Sequence, residues 1–573
     1  MRELNLSKNQ FNGSLLKTLL ALPHLKVLDL SENSLVGGIP ISSSSDEEPL
    51  RNLTKLEEID LSGNTNLAVH VNIPGWVPPF QLKRLALSGC DLDRAIIEEP
   101  HFLRTQLYLE ELDLSNNNLS GSMPNWLFSK EATLVNLNLG NNSLTGSLVP
   151  IGHPQTALQS MIISNNYTTG QLPVGFGSMF PSLSTLDFYH NNFYGQIPMS
   201  LCHINRMRLL DLSSNNFFGE LPACNNKFEG ALPRLLSGSL VIMSLYDNKL
   251  SGELDTSFWN LSSLAVLNLS GNRMIGNIHP KICNLTRIEI LDLSANDFNG
   301  PMPKCSKDLD NINVLSLGWN ELEGQVTSNL CKLCPRIIDL SHDKLSGSLR
   351  PCLGRIFCDR ETIEVDNPFL LIKVILESYI VVEDTRGFTF GTKGNQYTYG
   401  FDFSDLMSGI DLSANMLSGE IPWELGNLSH IKALNLSNNF FSGQIPASFA
   451  NMSEIESLDM SHNELTGSIP WQLTRLWMQE VFSVAYNNLS GCIRNSGQFG
   501  SFAMDSYQGN SNLHKMSQGD GCSSSHGSGA GDMPPDGSDR VVDDPVLNAV
   551  SAASFVLVFW ALRPWFAIQL GGM

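Results

Sequence analysis

Hydrophobic and polar positions alternate along this chain with a long period. The segments "LAVLNLSGNRMIGNI", "IEILDLSANDFNGPM" and "INVLSLGWNELEGQV" share one template, LxxLxLxxNxLxGxIP. The template asparagines Asn248, Asn272, Asn296 and Asn320 are 24 residues apart, as are Asn415, Asn439, Asn463 and Asn487. Counting from Asn9 there are 18 repeats, with Cys90 and Asp343 standing in at two template-Asn positions. In LxL the leucines alternate, as one face of a short strand requires. The Asn side chain can bond backbone groups at the turn, and the following Gly permits a tight bend. A repeat has about seven apolar positions worth roughly 2 kcal/mol each. Ordering its residues costs roughly 1–2 kcal/mol apiece. One repeat therefore cannot fold alone, and stacked repeats must share a core. The pattern predicts an α/β solenoid, a superhelix with parallel strands on its concave face.

The "LSGxIP" half, as in "LSGEIPWELGNLSHIKALNLSNN", resembles the plant class of leucine-rich repeats, from Met1 to about Gly491 apart from one insertion. Three irregularities punctuate it. Residues 41–50, "ISSSSDEEPL", swell one repeat into a polar surface loop. Between Asn215 and Asn248 the frame breaks: "NNKFEGALP" around Asn226 supplies half a repeat without its strand, which predicts a packing defect. From Asp343 to Asn415 is 72 residues, but a repeat frame fails there because Thr362 and Glu364 would fall at strand-core positions. Residues 354–406 are therefore an island, with "LLIKVILESYIVVED" and "FTFGTKGNQYTYGFDF" suggesting short strands.

An island followed by four repeats, entered through "LMSGIDLSANMLSGEIPWELGNL", closely resembles the plant receptor-like proteins, cell-surface receptors without a kinase of their own. The resemblance implies immune or developmental signalling through a co-receptor kinase. It also implies that the island contacts that co-receptor through a Lys and a Tyr separated by five residues, matched here by Lys393 and Tyr399. Residues 492–522 resemble the family's C-terminal cap, and a Cys492–Cys522 bridge follows from that likeness.

The cysteine spacing speaks for itself elsewhere. Cys202 with Cys224, Cys283 with Cys305, and Cys331 with Cys352 each flank a template position at separations of 21 or 22, nearly one coil. Three such coincidences argue for three disulfides and an oxidising compartment. Thirteen Asn-x-Ser/Thr sequons occur, among them Asn52, Asn118, Asn141, Asn166, Asn260, Asn284, Asn427, Asn451 and Asn488. They are glycan acceptors in an exported chain, although the template itself spells many of them.

The domains read as residues 1–353, a solenoid without an N-terminal cap; 354–406, the island; 407–491, the last four repeats; 492–522, the cap; 523–544, an acidic flexible linker; and 545–570, a transmembrane segment with a short tail. Val546 to Leu562 is an uncharged, mostly apolar run, short but within range for one membrane-spanning helix. The acidic side before it and Arg563 after it orient a single-pass type I protein in the plasma membrane with extracellular repeats. Such a chain needs a signal peptide, yet Met1 opens directly into a repeat.

A net charge of −21 excludes a phosphate-neutralising nucleic-acid surface. No HExxH, GxSxG or kinase motif occurs, and the 12 histidines are scattered, so neither an enzyme nor a cofactor or metal site is expected. Binding is left. The exposed x positions of LxLxx mostly carry the template's Asp or Ser. The departures Tyr189 with His190, Tyr246 with Asp247, and Trp319 are the candidate anchors for a peptide, protein or glycan ligand. A secreted repeat protein, such as an inhibitor of microbial hydrolases, and a truncated receptor fragment are the competing readings.

Overall fold

The computed structural model describes residues 1–13, 22–40, 53–70, 78–92, 94–98, 101–128, 133–222, 240–305, 309, 311–333, 335–356, 387–400, 407–493 and 497–515. These belong to one compact unit, Met1–Asp520. The second unit, Gly521–Met573, lies outside the described residues, and so do the expected linker and transmembrane segment. Among the described residues no helix is long and apolar enough to cross a membrane.

Each LxL becomes a three-residue strand, and the strands stack in parallel into one 18-stranded sheet. That number equals the repeats counted in the sequence. Register is uniform: Val266, Leu267 and Asn268 face Ile290, Leu291 and Asp292 on one neighbour. The central residue of the strands, most often leucine, points inward, and Leu267, Leu269 and Met274 are fully buried. A second, 10-stranded parallel sheet runs from Thr169–Gln171 to Phe440–Ser442 on the segments after the template Asn. Single 3-10 turns such as Pro280–Asn284 and Trp423–Asn427 complete each coil. The α part of the expected α/β label is thus small. A 24-residue period holding two strands and their turns leaves room for about one helical turn.

The template Asn is the hinge of every coil. Asn296 Nδ2 donates to Leu293 O and Ser294 O in its own repeat and to Leu269 O in the previous one. Its Oδ1 accepts the Met274 N–H at 2.9 Å. One amide therefore satisfies four backbone groups at the turn, because it both donates and accepts. The row runs unbroken across the expected defect at Asn226. Leu209–Asp211 pairs directly with Ile242–Ser244, and Asn248 Oδ1 accepts the Phe217 N–H at 3.0 Å. No strand comes between these two among the described residues, and the half repeat around Asn226, with its expected packing defect, lies outside them. At the other stand-in positions, Cys90 Sγ donates to Leu61 O, while Asp343 Oδ1 accepts the Leu322 N–H.

Asp343 cannot donate while ionised, and its Oδ2 is buried without a partner. Burial pushes its carboxyl up to about 7. The folded state therefore takes up a proton more readily than the unfolded chain, whose value is 3.8. Asp343→Asn is expected to raise stability by about 1–3 kcal/mol above pH 7, the cost of an unsatisfied buried group. That advantage shrinks on acidification between the two values, as wild type gains its proton. Urea midpoints across this range test both the sign and the window.

Cys283–Cys305 and Cys331–Cys352 are disulfides with Cα separations of 5.4 and 5.5 Å, as their spacing predicts. Cys202 and Cys492 are also disulfide-bonded, and their expected partners Cys224 and Cys522 lie outside the described residues. The C-terminal segment closes the stack. Asn510 Nδ2 bonds Val484 O and its Oδ1 accepts the Leu489 N–H, a further rung after the last strand.

Candidate ligand and partner surfaces on the strand face

The outward positions of the 18 strands form two rows. The third strand residue is usually acidic or amidic: Asp29, Asp60, Asp113, Asn138, Asp187, Asp211, Asn268, Asp292, Asp339, Asp411, Asn435 and Asp459 lie in register. These carboxylates serve the fold first. Asp411 Oδ1 accepts the Ser413 N–H and hydroxyl at 2.9 and 2.6 Å.

The first strand residue varies more. After Val27 it is polar in five successive strands, at Glu58, Arg84, Glu111, Asn136 and Ser160. It then turns aliphatic at Ile242, Val266, Ile290, Val314 and Ile337, all at most 3% exposed. What packs against this apolar row is the island. Gly387–Thr392 and Asn395–Gly400 form an antiparallel hairpin. Its turn residues Lys393 and Gly394 both have positive φ, 52° and 73°, which suits a two-residue hairpin loop. Phe388 and Phe390 are buried in one cluster with the aliphatic row, Met407 and Ala433. Asn268 Nδ2 donates to Gly387 O at one end of the hairpin, and the Lys393 N–H donates to Ser457 Oγ at the other.

The expected partner residues sit on this hairpin. Lys393 Nζ meets Glu456 at 2.8 Å and Glu480 at 2.7 Å. Burial alone would lower the Lys393 pKa, but its hydrogen bonds to the two glutamates outweigh that and hold it above the ordinary lysine value. Tyr399 stacks on Phe388 with centroids 5.6 Å apart and is half-buried, while Tyr397 beside it is exposed. Lys393 thus engages its own chain, a role that spacing in the sequence did not reveal.

The five expected ligand anchors divide into two groups. Tyr189, His190, Tyr246 and Asp247 are brought together. The Tyr189 and Tyr246 rings lie 6.0 Å apart, and Tyr189 and His190 lie 5.7 Å apart. Burial and the hydrogen bond with Tyr189 raise the Tyr246 pKa, so the Tyr246 hydroxyl stays protonated. Trp319 stands apart, half-exposed and stacked on His342 at 3.6 Å.

Toward the N-terminus the same face carries a hollow of about 310 Å³, lined by Arg84, Glu111, Asp113, Asn136, Asn138, Gln159, Ser160 and Ile162 among others. Ala86 and Ile162 interrupt the acidic row here, the alanine leaving room and the isoleucine replacing a polar side chain with an apolar one. Arg84 is held by Asp60 at 2.9 Å and Glu111 at 3.5 Å. The next strand is closed, with Thr185 and Asp187 fully buried, and partly exposed outward residues return at Asn435, Asp459, Val481 and Ser483. Sequence reasoning ranked aromatic departures and passed over this hollow. Its signal was the pair of small or apolar residues in the acidic row.

The leucine-rich-repeat family profile matches residues 24–45, 108–129, 182–204, 430–452 and 454–476. Receptor-like protein 18 of Arabidopsis thaliana is 30% identical over 318 residues, which cover 46% of this chain and 36% of the relative. Receptor-like protein 1 of the same plant is 34% identical over 202 residues, 35% of this chain and 18% of the relative. The chain carries leucine-rich repeats and is similar to the plant receptor-like proteins. It spans about a third or less of the length of these curated relatives. The structure is similar to that of the Arabidopsis receptor kinase HAESA, solved with the peptide hormone IDA and the co-receptor SERK1. The TM-score is 0.65 at 25% identity, covering 90% of this chain and 74% of that one.

The sequons of this chain sort by place. Asn118, Asn260, Asn284, Asn427, Asn451 and Asn488 are exposed, and Asn141 is half-buried. Asn260, Asn284, Asn427 and Asn451 each end a 3-10 turn, away from the long sheet. Asn166 must be withdrawn as a glycan site. It is a buried ladder residue, 4% exposed, with Nδ2 bonded to Leu139 O and Ile163 O. Asn52 lies outside the described residues.

Proposed function

We propose that this chain is a non-enzymatic, membrane-anchored receptor of the plasma membrane. It binds an extracellular peptide, protein or glycan on the open strand face and signals through a co-receptor kinase in defence or development. The observation that carries the reading is the hollow between Arg84 and Ile162, an open part of a face whose outward strand residues are buried from Thr185 to Asp411. Its amides Asn136 and Gln159 can both donate and accept, which suits the backbone of an extended peptide. The Tyr189–Tyr246 pair on later repeats is a second, aromatic anchor. The likeness to a receptor solved with both a peptide hormone and a co-receptor supports this division of labour. The outward edge of the hairpin with the repeats from 407 to 491 is the co-receptor surface, with Tyr399 in contact and Lys393 holding the hairpin in place. The glycans on exposed sequons leave the long sheet free.

Secreted peptides selected for binding to the full ectodomain test the ligand half. Their affinity is expected to fall roughly tenfold or more with Glu111→Lys plus Gln159→Ala, the range for a lost central contact. It should be unchanged by Tyr486→Ala at the far end. Selected peptides that ignore the hollow variants would refute the assignment. For the signalling half, co-precipitation with a co-receptor kinase is expected to drop with Tyr399→Ala, and undiminished recovery counts against it.

A further inference from the structure

Two carboxylic acids meet where the island leaves and re-enters the repeats. Asp339 and Asp411 are register partners on adjacent strands, because the intervening insertion loops out and the sheet closes behind it. Each is 5% exposed. The hairpin is seated on this joint. A Cβ on Gly391 would lie 3.5 Å from Asp411 Oδ2, and one on Gly409 would meet the Phe390 ring at 2.6 Å. Only glycine lets hairpin and strand approach this closely at Gly409.

The surrounding groups leave the two acids facing each other. Asp292 and Asp459 extend the same row on either side, and Asn435 Nδ2 donates to Asp411 Oδ2 at 3.1 Å. Ser341 and Ser413 donate to the acids from the following turns. Asp343 sits one turn after Asp339 in the ladder, and His342 stacks outward on Trp319. From the hairpin come Tyr397, Tyr399 and Lys393. Lys393 and Lys432 are engaged by Glu456, and Lys393 also by Glu480. Arg336 precedes the strand Ile337–Asp339, and its backbone accepts the Gly409 N–H.

We propose that this joint is a proton-operated latch: the hairpin Gly387–Gly400 stays docked on the strand face while the Asp339–Asp411 pair shares at least one proton, and lifts when both ionise. The inference concerns the hairpin's own equilibrium and stands whether or not a ligand or co-receptor binds as proposed above.

Its physical basis is linkage. Burial, and for Asp339 the charge of Asp411, raise both carboxyls above the ordinary 3.8. Lifting the hairpin returns the pair to water and lowers both again. Docking therefore binds protons, is favoured on the acid side, and weakens as pH rises through the raised values. The tip sets the opposite limit. Burial would raise Glu456, but Lys393 and Lys432 hold it below the ordinary 4.5, so its ion pair with Lys393 survives into acid. Docking is thus strongest between the titration of Glu456 and that of the aspartate pair.

Hydrogen exchange of residues 388–399 in the full ectodomain at about pH 5 and about pH 8, corrected for intrinsic exchange, tests this. One linked proton changes an equilibrium about tenfold per pH unit, so wild-type protection is expected to fall roughly tenfold or more. Asp339→Asn with Asp411→Asn, neutral at both pH values, is expected to hold protection within about twofold. Leu434 in the neighbouring strand reports that the repeats stay folded, and Asp411→Asn alone serves if the double variant does not. Equal wild-type protection at both pH values overturns the proposal. So does a folded variant that loses protection as wild type does.

Discussion

Asn296→Ala is expected to destabilise the solenoid by about 3 kcal/mol or more. The residue is 8% exposed, and its amide serves Leu269 O, Leu293 O, Ser294 O and the Met274 N–H at 2.9–3.2 Å. Alanine leaves buried donors and acceptors unpaired, at about 1–3 kcal/mol each. Two of them belong to the preceding repeat, so the damage falls on the interface between coils. In a stacked protein those nearest-neighbour interfaces carry cooperativity. Urea unfolding followed by exchange at Leu267 and Leu291 should show the array splitting there. A loss below about 1 kcal/mol would mean that water replaces the amide at the turn.

The second large effect is expected at the hairpin. Phe388→Ala with Phe390→Ala removes two rings that are at most 1% exposed. Each such truncation costs about 3–5 kcal/mol when the site cannot collapse. The remaining anchors are few: Asn268 to Gly387, Lys393 to Ser457, and the Lys393 ion pairs. The hairpin should detach and uncover Ile242, Val266, Ile290, Val314 and Ile337. An exposed apolar stripe of that length invites dye binding and self-association, both measurable while exchange at Leu267 stays slow. Lys393→Ala should cost only about 1 kcal/mol by the same readouts, because a partly exposed ion pair is screened. If the lysine change detaches the hairpin and the phenylalanine change does not, electrostatics and not packing holds it.

The two expectations differ in how far the sequence foretold them. The ladder was legible, because Asn recurs at a fixed offset from LxL and each rung uses the same local geometry. Cys283, Cys305, Cys331 and Cys352 were legible for the same reason, since a coil brings residues 21 or 22 apart side by side. The hairpin's footprint left a weaker trace. "AVLNL", "EILDL", "NVLSL" and "RIIDL" carry an aliphatic residue at an outward position where earlier repeats carry Glu, Arg or Asn. That change announces a cover without naming it. Nothing near Lys393 in the chain points to Glu456 and Glu480, and nothing near Asp339 points to Asp411. Their meeting depends on how an insertion folds back.

By itself, then, the chain determined everything that repeats: the number of strands, their register, the asparagine ladder, the two described disulfides and the likeness to plant receptor-like proteins. Each of these is a nearest-neighbour relation, and a fixed period writes such relations into the sequence. Only the tertiary structure decided what breaks the period. It put the island hairpin over the aliphatic row, Lys393 between two glutamates of its own chain, the Asp339–Asp411 pair at the joint, and the open hollow at Arg84. Contacts between distant segments depend on where the coils carry each surface in space, and no local pattern of residues encodes that.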